Sequence, residues 1–283
     1  MDKDKDTDQR RTMQARIIAA LHVSPRFDAE EELDRRVRFL CDYMKGAGSE
    51  ALVLGISGGI DSTVAGALAQ RTVERARREG VDRAVFVAMR LPYGVQRDED
   101  DAARALEAIG PDIAMTVNIK AASDAMLVEL KTGGLRFDDV GQEDFVLGNV
   151  KARERMIAQY AVAGARRGLV IGTDQAAEAL MGFFTKFGDG ACDVTPLTGL
   201  NKRRVRALGT AMGIPPDLVK KVPTADLESL NPLEPDEAAF GLSYDEIDDF
   251  LEGKVVSDRA YEIIFQHYRA SEHKRQLPAF PGS

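Results

Sequence analysis

Short unbroken apolar runs alternate along this chain with longer stretches in which apolar positions recur at helical spacing. The runs Ala51–Ile56, Ala84–Met89, Ile113–Ile119 and Leu169–Ile171 read as strands, and the first two are apolar enough to be buried on both faces, as parallel strands are. Between them lie helical patterns. Asp28 is placed to cap a helix opened by Ala29-Glu30-Glu31-Glu32, striped by Val37, Leu40, Cys41 and Met44, and stopped by Gly46 and Gly48. Further helices are expected from about Ser62 to Glu79, from Asp98 to Ile109, from Val150 to Ala165 and from near Gln175. Residues 120–147 are expected to hold one helix and a Gly/Asp-rich loop, and Tyr244–Gln276 two helices with a basic finish.

Strands alternating with helices predict an α/β fold with a doubly wound parallel sheet and flanking helices at both termini. Ligands should then sit beyond the carboxyl ends of the strands. Unusual residues stand there: a glycine loop after the first strand, Arg90 after the second, and Gly172-Thr173-Asp174 after the fourth. Residues 1–12 read as a disordered polar segment without an apolar core, leaving 13–283 as a single domain with a short helix at 13–22. From about residue 216 the chain turns Pro- and acid-rich, which suggests a lid loop.

Composition narrows the function classes. The formal net charge is −8, so no basic footprint invites nucleic acid. No apolar run approaches membrane-spanning length, so no membrane partner is expected. The two cysteines, Cys41 and Cys192, lack metal or disulfide spacing and point to a reducing, cytoplasmic setting.

The glycine loop carries the chemistry. Gly55-Ile56-Ser57-Gly58-Gly59-Ile60-Asp61-Ser62 follows a strand and precedes a helix, which aims backbone N–H groups at an anion. It lacks the Walker A and Rossmann patterns. A plain Gly-Ser turn with a helix cap is the competing reading. Asp174 and Glu178 share a helical face; they are either a solvated acidic pair or, with Asp61, carboxylates for Mg²⁺. In the loop Gly182–Gly190 and the Cys192-Asp193 pair after it, three phenylalanines suit a flat ring, Lys186 a phosphate and Asp193 a polar group. The basic cluster Asn201-Lys202-Arg203-Arg204 with Arg206 would alone read as a solvated face.

The loop resembles the SGGxDS element of the PP-loop ATP pyrophosphatases. The segments LGISGGIDSTVAG, RLPYGVQRDEDDA, GNVKARERMIAQY, IGTDQAAEALMGFFTKFGDGACDVTPL, NKRRVR, KVPTADL, SYDEIDDFLEG and EHKRQLP together resemble the ammonia-dependent NAD⁺ synthetases, from about Arg36 to Gln276. The resemblance implies an adenine-nucleotide alpha-hydrolase-like fold and a ligase that amidates deamido-NAD⁺ with ammonia, using ATP as co-substrate and Mg²⁺, through an adenylate. It implies that Gly55–Ser62, Thr173, Lys202 and Thr224 contact ATP, with Arg90 and Gln96 lining the adenosine pocket. It implies Asp61 and Glu178 as metal ligands. Arg153, Lys186, Asp193, His273 and Lys274 would contact deamido-NAD⁺, with Tyr43 and Phe145 near the nicotinate ring. Catalysis would fall to Asp61, Glu178, Lys186 and Asp193, with Asp193 as candidate acceptor of the ammonium proton. A homodimer with the dinucleotide at its interface is also implied. Met181, Cys192 and Arg204-Val205 depart from the family pattern and touch only the fit of substrate. The rivals are another ATP-pyrophosphatase ligase acting on tRNA and a non-catalytic adenine-nucleotide-binding module.

Overall fold

A computed structural model describes residues 2–94, 99–225, 227, 228, 230 and 234–281, the side chains of 2–7, 225 and 234 excepted. The elements in order are α1 (Asp2–Ala20), α2 (Ala29–Gly46), β1 (Ala51–Gly55), α3 (Ile60–Arg78), β2 (Val85–Arg90), α4 (Glu99–Ile109), β3 (Ile113–Thr116), α5 (Lys120–Thr132), α6 (Val140–Ala165) and β4 (Gly168–Val170). There follow α7 (Ala176–Met181), α8 (Lys202–Ala211), α9 (Pro216–Val219), β5 (Thr224–Ala225), β6 (Glu234–Pro235), α10 (Asp236–Phe240), α11 (Tyr244–Leu251) and α12 (Asp258–Ala270), with a 3₁₀ turn at Glu272–Lys274.

The first four strands form one parallel sheet in the order β3-β2-β1-β4. Its alternating side chains separate two apolar layers. Leu52, Leu54, Phe86 and Ala88 join α2, α3 and α8 on one face. Val53, Val87, Met89 and Val170 lie with Ala163 of α6 on the other. Both faces are thus covered, as the unbroken apolar strands require. A third cluster joins α1, α7, α11 and α12 through Ile17, Leu180, Tyr244, Phe250 and Ile264. Among the described residues no helix is long and apolar enough to cross a membrane.

Two expectations change. The polar opening of the chain is helical from Asp2, and Arg10 anchors it to α12 through Asp258 at 3.0 Å and Glu262 at 2.9 Å. Those partners lie at the far end of the sequence and leave no local trace. The long helix expected from Val150 starts at Val140, because Asp139 caps it by accepting from the Gln142 N–H at 2.8 Å. Asp28 caps α2 as expected, accepting from the Glu30 and Glu31 N–H groups. Much of the Pro-rich stretch after residue 216, expected as a lid, lies outside the described residues; its described parts include α9 and the short antiparallel pair β5–β6.

Candidate functional site

The glycine loop turns at the carboxyl end of β1. Gly58 has φ +82, and a Cβ there would stand 2.8 Å from the Ala102 nitrogen of α4, so both conformation and space demand glycine. Gly59 is the N-cap of α3 and offers no side chain, so the first turn of that helix has no side-chain cap. Those N–H groups and the positive end of a 19-residue helix face the loop. The hydroxyls are ordered around it: Ser62 and Thr63 both donate to the Gly59 carbonyl, and Ser57 accepts from the Gly59 N–H.

The loop forms one wall of a cavity of about 480 Å³. Asp61 enters from α3, Glu178 from α7 and Lys202 from the first residue of α8. Lys202 is only 1% exposed. Its Nζ lies 2.5 Å from Asp61 Oδ2 and 3.6 Å from Glu178 Oε1. Burial alone would pull the Lys202 pKa down, but the charges of Asp61 and Glu178 outweigh it and hold the ammonium protonated. Glu178 is pushed well above the usual carboxylate range, by burial first and the Asp61 charge second. Among the described residues Asp61 Oδ1 and Asp236 Oδ1 are buried without a hydrogen-bond partner. Asp236 also lines the cavity, and its other oxygen accepts from the Tyr244 hydroxyl at 2.8 Å.

On the opposite wall, Asp189 accepts from the Thr185 N–H at 2.8 Å, and burial raises its pKa. Lys274 reaches in from the 3₁₀ turn, donating to the Gly182 and Phe184 carbonyls at 2.9 Å each. Burial lowers its pKa, with Asp189 opposing. Phe145, Asn149, Arg155, Phe183 and Phe184 complete this side.

A protein-family model described as NAD synthase matches residues 32–278. The chain belongs to the NAD synthase family. The NH(3)-dependent NAD(+) synthetase of Burkholderia cenocepacia is 62% identical over 265 residues, 94% of each chain. That of Burkholderia lata is 63% identical over the same length and share. Among solved structures, the NAD+ synthetase of Burkholderia pseudomallei shares 58% identity with a TM-score of 0.82, covering 95% of this chain and 98% of that one. The NMN synthetase of Francisella tularensis shares 36% with a TM-score of 0.79, covering 91% and 100%.

The residues implied by family resemblance divide into groups. Gly55, Ile56, Ser57, Gly59, Ile60, Asp61, Ser62, Phe145, Thr173, Glu178, Lys202, Thr224 and Lys274 all line the cavity. Gly58 packs on α4 behind the loop. Arg153, Lys186 and His273 form a chain beside the cavity: Arg153 donates to the Lys186 carbonyl at 3.2 Å, and Lys186 Nζ to the His273 carbonyl at 2.5 Å. Asp193 faces elsewhere, accepting from the Val170 N–H of β4 and from the Tyr160 hydroxyl. Arg90 pairs with Glu99 of α4 and does not line the cavity. Tyr43 lies on α2 beside Phe39, in a separate surface depression. Gln96 lies outside the described residues.

The motifs did not single out Asp189, Asp236 or Tyr244 as site residues. Asp189 lies in the Gly188-Asp189-Gly190 element of the aromatic-glycine loop, a signal available in the sequence. Asp236 and Tyr244 are brought in by the packing of α10 and α11, which no local pattern encodes. Of the departures from the family pattern, Met181 is buried in the third cluster, Cys192 packs on Gly172, and Arg204 donates to the Ser24 carbonyl at 2.7 Å.

Proposed function

We propose that this chain forms NAD⁺ from deamido-NAD⁺, ATP and ammonia, releasing AMP and pyrophosphate. One observation carries the reading: a phosphate loop, two carboxylates and a buried lysine converge in one cavity at the strand ends. The nicotinate carboxylate is a poor electrophile, so ammonia cannot displace its oxygen directly. Its oxygen attacks the α-phosphorus of ATP, the bond from that phosphorus to the bridging oxygen breaks, and pyrophosphate leaves. Ammonia then attacks the activated carbonyl carbon, a C–N bond forms, AMP departs and a proton is lost. The loop N–H groups and Lys202 hold negative charge during the first step. The cavity wall of Phe183, Phe184 and Leu91 excludes water from the adenylate. Asp189, on that wall with a raised pKa, is better placed than Asp193 to take the ammonium proton.

The residues fit Mg²⁺. Asp61 keeps one buried oxygen without a partner, and Glu178 stands on the other side of the same ammonium. Two carboxylates with phosphate oxygens satisfy Mg²⁺, although among the described residues no cluster of three or more His, Cys, Asp or Glu could hold a metal unaided. Bound there, Mg²⁺ would neutralise phosphate charge.

A homodimer with the dinucleotide at its interface is supported by exposed Phe145 and Ile157 on α6 and exposed Phe187, which flank the Arg153–Lys186–His273 chain. Free Cys41 and Cys192 support a cytoplasmic setting. The test is NAD⁺ formation from deamido-NAD⁺, ATP and ammonium, with glutamine and nicotinate mononucleotide as alternative substrates. The likeness to an NMN synthetase makes the mononucleotide the informative rival. A higher kcat/KM for the mononucleotide would overturn the dinucleotide reading.

A further inference from the structure

Lys202 is held at both ends by one face of α11. At the backbone end, the Lys202 N–H donates to Asp248 Oδ1 at 3.1 Å and the Arg203 N–H donates to Asp248 Oδ2 at 2.7 Å. At the side-chain end, Lys202 Nζ lies 4.7 Å from the centroid of the Tyr244 ring. Tyr244 and Asp248 are one helical turn apart and therefore share a face. Asp248 is 1% exposed, so its carboxylate is committed to these contacts. With Asn201, whose side chain accepts from the Arg204 N–H, it satisfies the first-turn donors of α8. A buried carboxylate at a helix N-terminus also meets the positive end of the helix dipole.

Lys202 is the first residue of α8, and its ammonium stands between Asp61 and Glu178. Any slip of that first turn moves the ammonium with it. Displacements of about 1 Å in a catalytic group cost on the order of a hundredfold in rate. We propose that Asp248 is a positioning residue for ATP cleavage: its grip on the first turn of α8 sets where the Lys202 ammonium stands against the two cavity carboxylates. The inference rests on the reading of the cavity as the ATP site.

The test is a double-mutant cycle of Asp248→Ala and Lys202→Met, followed by two readouts. One is ATP affinity by calorimetry with ATP alone. The other is the rate of pyrophosphate release with deamido-NAD⁺. Asp248→Ala should lower pyrophosphate release roughly 10- to 100-fold, with the KM for deamido-NAD⁺ within about twofold. In the Lys202→Met background it should add less than about twofold in either readout, because both changes act through one ammonium. Asp248→Asn, which keeps one acceptor oxygen, should fall between wild type and alanine, and replaces alanine in the cycle if the latter does not fold. Asp82→Asn, an exposed change in the turn before β2, should leave the rate unaltered. Equal losses in both backgrounds, falling in step with melting temperature, would make Asp248 a plain structural cap and overturn the proposal. A wild-type protein that releases no pyrophosphate with deamido-NAD⁺ would instead count against the functional reading, and the ATP-affinity cycle would still decide the role of Asp248.

Discussion

Asp193 Oδ2 accepts a hydrogen bond from the Val170 N–H at 2.7 Å, tying the segment that leads into Val194, which bridges in parallel to Ile171, to the end of β4. Its other oxygen takes the Tyr160 hydroxyl at 3.3 Å. The carboxylate therefore organises the sheet edge, while Asp189, four residues earlier, meets the cavity. Asp193→Ala should lower the melting temperature by several degrees, because it strips the N–H of buried Val170 of its acceptor, and leave the adenylation rate within about tenfold. Asp189→Asn should still release one equivalent of pyrophosphate yet fail to consume ammonia, with partial rescue at higher pH. The reverse pattern would return the proton-acceptor role to Asp193.

Asp61→Asn and Glu178→Gln should each reduce pyrophosphate release on the order of a hundredfold or more at saturating Mg²⁺. They should differ in stability. Asp61 makes the short contact to buried Lys202, so its loss leaves a buried ammonium poorly paired, whereas Glu178 lies at 3.6 Å. Thermal melts without metal should therefore show the larger drop for Asp61→Asn. Near-normal turnover in either variant would remove the metal assignment.

Asp174 supplies a pH dependence. Its pKa is pushed from near 3.8 to about 8, by burial first and then by the charges of Asp189 and Asp61. Between those values the native protein holds a proton that the unfolded chain has released. Stability from this group is thus fullest below about pH 4 and declines as pH rises to about 8. In the presence of chelator, Asp174→Asn should melt above wild type at pH 9, and the gap should close as pH falls toward 4. A gap independent of pH would count against the assignment.

The two loop glycines should separate structure from binding. Gly58→Ala meets both a left-handed backbone at φ +82 and the Ala102 nitrogen at 2.8 Å, so it should cost about 1–3 kcal/mol of stability. Gly59 has φ −79, and a Cβ there makes ordinary contact with Ser57 Oγ at 3.4 Å. Gly59→Ala should keep its melting temperature and lose ATP affinity through crowding of the phosphate. Equal melting losses for both would refute the distinction.

What the sequence makes legible follows from how local each cause is. Buried parallel strands need apolar residues on both faces, so β1 and β2 stand out as unbroken runs, found to within a residue. The edge strand β3 is half exposed and ends at Thr116, short of the Ile119 expected from its apolar spacing. The opening turns of α6 were hidden by Gly141, Gly148 and polar neighbours, and only the Asp139 cap marks them. Asp61, Glu178 and Thr173 are legible because motifs at strand ends point into one place, whereas Lys202 opens a helix and is legible only through the family resemblance. Tyr244, Asp236 and Asp248 are not, because their roles arise from helices packed far along the chain.

That distance along the chain has a consequence for synthesis. The phosphate loop, the parallel sheet, Asp61 and Glu178 are all made before α11 and the 3₁₀ turn at Glu272–Lys274. Yet Asp248 fixes the start of α8, and Lys274 closes over the Gly182 and Phe184 carbonyls. A ribosome-bound chain emerging N-terminus first therefore carries a nucleotide cradle whose lysines are not yet seated. In that order of synthesis the contacts that seat Lys202 and Lys274 form last, after the glycine loop and both carboxylates are in place.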